Sequence, residues 1–141
     1  MRVLVYSIAD ELFASPLATI EQSIDVPNVR PVPGGDEHAL GVVDVRGRRI
    51  AAYSPKAALN VSLVEPAGAA LLIESGGAPM LLLISDVDDV IEIDASEIRI
   101  APGSEDHDGV LLGVFQHEGR LVSLVDPLAV RDATLASGAR R

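Results

Sequence analysis

The chain lacks cysteine and tryptophan, and aromatic residues make up only 3% of its 141 residues. Without cysteine it can form no disulfide framework, thiolate metal cluster or cysteine nucleophile, which fits a reducing compartment. Basic residues are also few, because 11 Lys and Arg stand against 21 Asp and Glu and give a net charge of −10. This charge repels nucleic acid and anionic lipid, so neither is an expected partner.

Long hydrophobic runs are missing as well. No apolar run approaches the roughly 20 residues of a membrane span. The run after Arg2 stops at Asp10, which is too soon for the core of a signal peptide. We therefore expect a cytoplasmic protein without direct membrane insertion. A chain of this length buries about 70% of its unfolded surface, which predicts a single domain over residues 1–141.

Patterns typical of enzymes and of metal or cofactor sites are also absent. No Gly-x-Ser-x-Gly turn occurs, and the glycine pairs lack the lysine of a phosphate loop. No histidine has a second histidine at metal-ligand spacing. The acid-rich run 86–94 has Val90 and Ile91 where a calcium loop needs an oxygen ligand and glycine, so a solvated face is favoured. The sequence predicts no catalytic residue, metal or cofactor.

What the chain does contain is a repeated hairpin pattern. Residues 39–55 read as a strand, a turn at Arg46-Gly47 and a returning strand, and residues 111–127 repeat this with six identical positions and no gap. The turn glycines supply the positive φ that a two-residue hairpin turn needs. Gly41 and Gly113 lie inside strand patterns, which predicts a bulge or a close backbone approach in each hairpin.

Two further hairpins extend the repeat along the chain. Apolar runs at 3–8 and 12–14 flank a polar turn, and runs at 69–74 and 80–84 follow the same pattern 67 residues later. Duplicated hairpins indicate two similar small barrels. The predicted halves and tail are residues 1–62, 68–130 and 131–141.

Helical signals are short. After Pro16, the residues Leu17, Ile20 and Ile24 follow at spacings of three and four, which predicts a short helical turn with one apolar face. Further short helices are predicted at 56–59 and 128–135. Asp94 with an acid three residues later indicates a capped turn.

Four motifs, in order and with the right spacing, resemble the CheW-like domain, the coupling-protein family of bacterial chemotaxis, over about residues 3–130. The motifs are Phe13-Ala-Ser-Pro-Leu17, Pro31-Val-Pro-Gly34, Leu40-Gly-Val-Val-Asp-Val-Arg-Gly47, and Leu111-Leu-Gly-Val followed by Gly119-Arg-Leu-Val-Ser-Leu-Val-Asp126. The resemblance implies a mainly β fold of two five-stranded, SH3-like barrels packed on a shared core. It also implies a non-catalytic adaptor that couples chemoreceptor tips to the regulatory domain of a CheA-type histidine kinase.

The resemblance further implies where partners bind. Arg46 matches the signature arginine of receptor coupling, although an arginine at a hairpin turn, read without the resemblance, is a solvated turn residue. Gln22 and Asp44 stand where the family pattern has glutamate and asparagine. The implied partner-binding residues are Arg46, Ile20, Gln22, Asp44, Ala69 and Met80.

Two alternatives remain open from the sequence. The departures at Gln22 and Asp44, with others at Ser54, Leu81 and Ser85, allow a divergent protein that binds only one of the two partners. The second alternative is a small-ligand sensor that uses the crevice between the barrels.

Overall fold

The computed structural model describes residues 1–25, 39–63, 67–74, 77–100 and 109–139, and the Pro31–Gly34 motif lies outside them. Ten strands and two α-helices form in this part of the chain, with 3₁₀ turns at Leu17–Thr19 and Ala95–Glu97. The strands are β1 (Arg2–Ile8), β2 (Glu11–Pro16), β3 (Gln22–Asp25), β4 (Ala39–Val45), β5 (Arg48–Tyr53), β6 (Ala69–Ile73), β7 (Met80–Ile84), β8 (Asp86–Glu92), β9 (Leu111–His117) and β10 (Arg120–Val125). The helices are α1 (Lys56–Leu59) and α2 (Pro127–Ala139).

The strands form two five-stranded sheets. Sheet A has the order β8-β1-β2-β10-β9, and sheet B has the order β3-β6-β7-β5-β4. Neighbouring strands are antiparallel except β2 with β10 and β5 with β7, which are parallel. Each sheet therefore combines one hairpin from one half of the repeat with three strands from the other half.

This exchange means that the sheets do not follow the sequence halves 1–62 and 68–130. The hairpin β1–β2 belongs to the first half but completes sheet A, while β6–β7 completes sheet B. The physical reason is that both hairpins are apolar on both faces. Each of these two hairpins pairs with a parallel strand and has both faces covered only in the sheet of the other half.

Three apolar clusters fill the structure. One cluster lies within each sheet. The third lies between the sheets and receives side chains from both of them, and we call it the shared cluster. Alternation along β1 shows how they are separated, since Val5 joins the cluster of sheet A while Leu4 and Tyr6 join the shared cluster. The prediction of two small barrels packed on a shared core is confirmed.

The local predictions for the two repeated hairpins are also confirmed. Arg46 and Gly47 have φ of 53° and 82°, and Glu118 and Gly119 have φ of 51° and 77°. Two successive positive φ values match the right-handed twist of the flanking strands. The register shifts between Ala39 and Gly41 in β4, and beside Gly113 in β9.

The predicted helical turn through Ile24 is wrong beyond its first residues. Only Leu17–Thr19 forms a 3₁₀ turn, and Gln22–Asp25 is a strand that pairs with β6. Residues 22–25 form a strand rather than a helix because the edge of the buried strand β6 offers hydrogen-bond partners for their backbone groups. A short helix would leave those backbone groups unpaired. The helix at 56–59 and the capped turn at Asp94 are confirmed, and the terminal helix runs over 127–139 rather than 128–135.

Gly113 is the point where another segment crosses close to β9. A Cβ added there would lie 2.7 Å from Ile98 Cγ2 and 2.8 Å from the carbonyl oxygen of Arg99. Arg99 pairs with Val114 through two backbone hydrogen bonds of 2.8 Å. The glycine thus allows residues 98–99 to pack directly on the edge of sheet A.

We expect Gly113→Ala to lower the free energy of unfolding by about 1–3 kcal/mol, because the methyl group meets backbone atoms that cannot turn aside. It should also speed amide exchange at Arg99 and Val114. The matched control is Gly119→Asn, since nothing lies within 4 Å of Gly119 and asparagine tolerates its positive φ. Urea unfolding and hydrogen exchange measure both effects, and similar losses in the two variants would contradict the steric explanation.

Tyr6 is a buried polar residue of the shared cluster. Its ring is 1% exposed and stacks on Phe13 at 6.1 Å between ring centroids, and its hydroxyl lies 2.9 Å from Ser15 Oγ. Burial raises the pKa of Tyr6 above the ordinary value, while the hydrogen bond with Ser15 opposes this. The folded state therefore holds the phenol proton at a pH at which the unfolded state releases it.

It follows that stability falls as the pH rises above about 10, the pKa of tyrosine in an unfolded chain. Urea unfolding between pH 8 and 11 measures this fall. In Tyr6→Phe the dependence on pH should be shallower, although the variant loses about 1 kcal/mol because the Ser15 hydroxyl has lost its partner. Parallel curves for the two proteins would show that Tyr6 does not cause the alkaline loss.

Candidate functional site

The tip of the β4–β5 hairpin carries the site residues predicted from the first repeat. Arg46 lies at the turn, is exposed and has left-handed backbone geometry. The carboxylate of Asp44 accepts a hydrogen bond of 2.9 Å from the backbone N–H of Gly47. Asp44 thus closes the turn that presents Arg46, and this gives Asp44 a local structural role.

A second contact ties the tip to the neighbouring part of the sheet. Arg48 Nη2 lies 2.6 Å from Oε1 of Glu74, which follows β6 directly. The hydrogen bond and the negative charge of Glu74 raise the pKa of Arg48. The side chains of Arg48 and Glu74 remain 50% and 33% exposed, so the pair orients the hairpin more than it stabilises the fold.

Three arginines gather at this tip in a chain with only 11 basic residues. Arg46, Arg48 and Arg49 are all exposed, and we call them the arginine tip. Arg48 is paired with Glu74, and Arg49 lies opposite Asp44 in the strand register. Arg46 lies at the turn itself, between Asp44 and Arg48.

Ile20 and Gln22 lie at the same end of sheet B. The backbone N–H of Glu21 bonds to the carbonyl of Leu72 at 2.9 Å, and Gln22 pairs with Leu72 in the register. The start of β3 thus runs beside the end of β6, where Glu74 contacts Arg48. Ile20 is half-buried against the shared cluster.

The structure does not bring Ala69 and Met80 to this surface. Their side chains are 3% and 0% exposed and belong to the shared cluster. Both β6 and β7 are buried along their whole length, and none of their residues is more than 3% exposed. A change at these positions acts through core packing.

Sequence reasoning did not single out the corresponding face of the second hairpin. Leu121 is 60% exposed and Leu112 is 40% exposed, and a groove of about 440 Å³ lies beside Leu121. The sequence repeat did indicate this face. Leu121 aligns with Arg49, so the second hairpin has an aliphatic side chain where the first has a charged one.

The described ranges hold neither a cluster of metal-ligating side chains nor a helix that could span a membrane. No three His, Asp or Glu side chains in those ranges come together as metal ligands, and His38 and His107 lie outside them. The helices found there are too short and too polar to cross a lipid bilayer.

Comparison with known proteins identifies the fold and the family. The family model of the CheW-like domain matches residues 2–134. Among solved structures, the scaffolding protein TtCheW from Thermoanaerobacter tengcongensis is similar with a TM-score of 0.74 over 88% of this chain and 82% of that chain. The two sequences are 19% identical, so this likeness concerns the fold. No curated protein matches the chain.

The role of Asp44 in the turn can be tested by two substitutions. Asp44→Ala removes the acceptor for the Gly47 N–H and should lower the free energy of unfolding by about 0.5–1.5 kcal/mol. Asp44→Asn keeps an oxygen acceptor and should stay close to the unchanged protein. Urea unfolding measures both variants, and an equal loss in both would assign the stabilisation to the charge rather than to the hydrogen bond.

Proposed function

The chain belongs to the CheW-like domain family, and on this premise we propose that it is a cytoplasmic, non-catalytic coupling adaptor in bacterial chemosensory signalling. In this role it links the cytoplasmic tip of a chemoreceptor to the regulatory domain of a CheA-type histidine kinase. The observation that carries the proposal is Arg46, which matches the signature arginine of the family and stands exposed on a fixed turn.

The geometry of the turn supports a docking role for Arg46. A guanidinium group forms paired, charge-assisted hydrogen bonds with a carboxylate and so fixes the orientation of a partner. The Asp44–Gly47 and Arg48–Glu74 contacts hold the hairpin before any partner arrives. A preorganised turn loses less conformational entropy when it binds.

The charge distribution favours an acidic feature on the partner that meets Arg46. The arginine tip is a local positive region on a chain of net charge −10. Attraction at this tip acts over about a Debye length, roughly 8–10 Å at physiological salt, whereas more distant negative charge is screened. Docking at Arg46 should therefore depend on contact geometry more than on long-range steering.

An adaptor that bridges two proteins needs two surfaces that do not overlap. The repeat supplies two hairpins of the same kind, β4–β5 on sheet B and β9–β10 on sheet A. We assign the receptor to the arginine tip together with Ile20 and Gln22, which lie at the same end of sheet B. The kinase then takes a different face of the protein.

Calorimetric titration against a receptor tip, and separately against the kinase regulatory domain, tests this assignment. The unchanged protein should bind both in the micromolar range typical of transient signalling contacts. Arg46→Glu should weaken receptor binding at least tenfold, about 1.4 kcal/mol, and leave kinase binding and the unfolding curve unchanged. Arg46→Lys should retain part of the receptor affinity, because it keeps the charge but not the planar fork.

The matched control is Lys56→Glu, which changes the net charge equally at an exposed position at the start of α1. It should leave both affinities unchanged. If Arg46→Glu weakened the binding of both partners equally, or of neither, the assignment would be contradicted. If the unchanged protein bound neither partner, the adaptor function would be wrong.

A further inference from the structure

Arg48 lies close to Arg46 but already has a charged partner within the chain. Only Gly47 separates the two arginines, so their Cα atoms are at most about 7 Å apart. Arg48 is opposite Val45 in the register of β4 and β5, and residues directly opposite share one face of a sheet. From this face, its Nη2 atom reaches Oε1 of Glu74 at 2.6 Å.

The second hairpin of the repeat contains an equivalent contact with a different acceptor. Arg120 aligns with Arg48, and its Nη2 donates a hydrogen bond of 3.0 Å to the backbone carbonyl of Asp10. Each arginine thus ties its own hairpin to the hairpin exchanged from the other half, β1–β2 in one sheet and β6–β7 in the other. A neutral carbonyl is sufficient for this role in sheet A. The negative charge of Glu74 therefore does more than hold the hairpin in sheet B.

The Glu74 carboxylate is placed to compete with an acidic partner. A partner carboxylate that approaches Arg48 meets the negative charge of Glu74 directly, and like charges brought together disfavour binding. Specific recognition commonly uses a repulsive element of this kind beside an attractive one. In the free protein, Glu74 thus reserves Arg48 and leaves Arg46 as the first arginine that a partner meets.

Glu74 is also easy to displace. The side chains of Arg48 and Glu74 are 50% and 33% exposed, and exposed ion pairs add little to stability. A guanidinium group has five N–H donors and can bind a carboxylate through two of them. Once one carboxylate of a partner segment is bound at Arg46, a second on the same segment reaches Arg48 at a high effective concentration. It can then take the place of Glu74.

We propose that Glu74 is an internal competitor for Arg48, and that a partner segment with two neighbouring carboxylates displaces it and binds Arg46 and Arg48 together. Arg48 is then a second partner-binding residue. Glu74 sets the specificity of the tip, because a segment with a single carboxylate reaches Arg46 alone. The inference rests on the proposed docking at Arg46, but its first test uses a simple acidic peptide in place of the receptor.

The first measurement is a calorimetric titration of the full chain with a capped hexaglutamate peptide at low salt. Glu74→Gln should raise the affinity at least threefold, because the amide keeps an oxygen acceptor for Arg48 but removes the competing charge. The gain should disappear at high salt, and in the double variant Glu74→Gln with Arg48→Gln. A lower affinity in Glu74→Gln would show that the pair only holds the hairpin. That result, or no peptide binding by Glu74→Gln, would overturn the proposal.

The matched control is Glu118→Gln at the tip of the second hairpin. It changes the net charge equally, and its side chain is 80% exposed. The affinity for hexaglutamate should not change. An equal gain in Glu118→Gln and Glu74→Gln would assign the effect to net charge and contradict a local competitor.

A second measurement follows the arginine side chains by NMR of their Nε–Hε groups. Hexaglutamate should shift the signals of Arg46 and Arg48 in the unchanged protein and leave the signal of Arg120 in place. A peptide of equal length with one glutamate among glutamines should shift the Arg46 signal alone. If hexaglutamate left the Arg48 signal in place, Glu74 would not be displaced and the proposal would be wrong.

Titration of the receptor tip with the same variants separates this inference from the adaptor function. If the receptor tip binds through Arg46, Glu74→Gln should raise its affinity as it does for the peptide. If the receptor tip did not bind while the peptide did, the adaptor function would be wrong and the acidic-segment site would stand. If the receptor tip bound through Arg46 and Glu74→Gln gave no gain with either probe, the adaptor function would stand and the internal competitor would be wrong.

Discussion

Burial of both faces of β1, β2, β6 and β7 is the constraint on which the rest of the structure depends. Along β6, Ala70 and Leu72 pack in the cluster within sheet B, while Leu71 and Ile73 pack in the shared cluster. If either face of such a strand were exposed to solvent, each large apolar side chain on it would lose about 1.5–3 kcal/mol of burial free energy. Each hairpin is therefore enclosed between the interior of its own sheet and the other sheet, and this holds the two sheets together.

The same constraint decides where partner surfaces can form. The hairpins β4–β5 and β9–β10 bury one face inside their own sheets, through residues such as Ile50 and Val122, and join the shared cluster only at their bases, through Tyr53 and Val125. Their tips extend beyond the core, and substitutions at such exposed positions usually change stability by less than about 0.5 kcal/mol. The fold thus keeps these exposed positions apart from the residues that hold it together, which is why Arg46 is accessible on the surface and Met80 is not.

The features that could be predicted from sequence are those with local causes. A glycine after a polar residue specified both hairpin turns, and Gly41 and Gly113 marked the bulges because a glycine inside a strand pattern is visible in the sequence. The exchange of hairpins could not be predicted, since the parallel pairs β2–β10 and β5–β7 leave the apolar pattern of each strand unchanged. The burial of Met80 was missed for a related reason, because an unbroken apolar run does not reveal that both of its faces are covered.

The internal repeat also explains how one small fold can offer two unlike surfaces. Both hairpins have the same turn geometry and the same bulge, so the backbone at positions 49 and 121 is equivalent. The side chains differ because nothing in the core restricts them. Arginine at position 49 and leucine at position 121 give a charged surface on one hairpin and an apolar surface on the other, on the same scaffold. Duplication of a hairpin therefore supplies a second surface whose chemistry can change without any cost to the first.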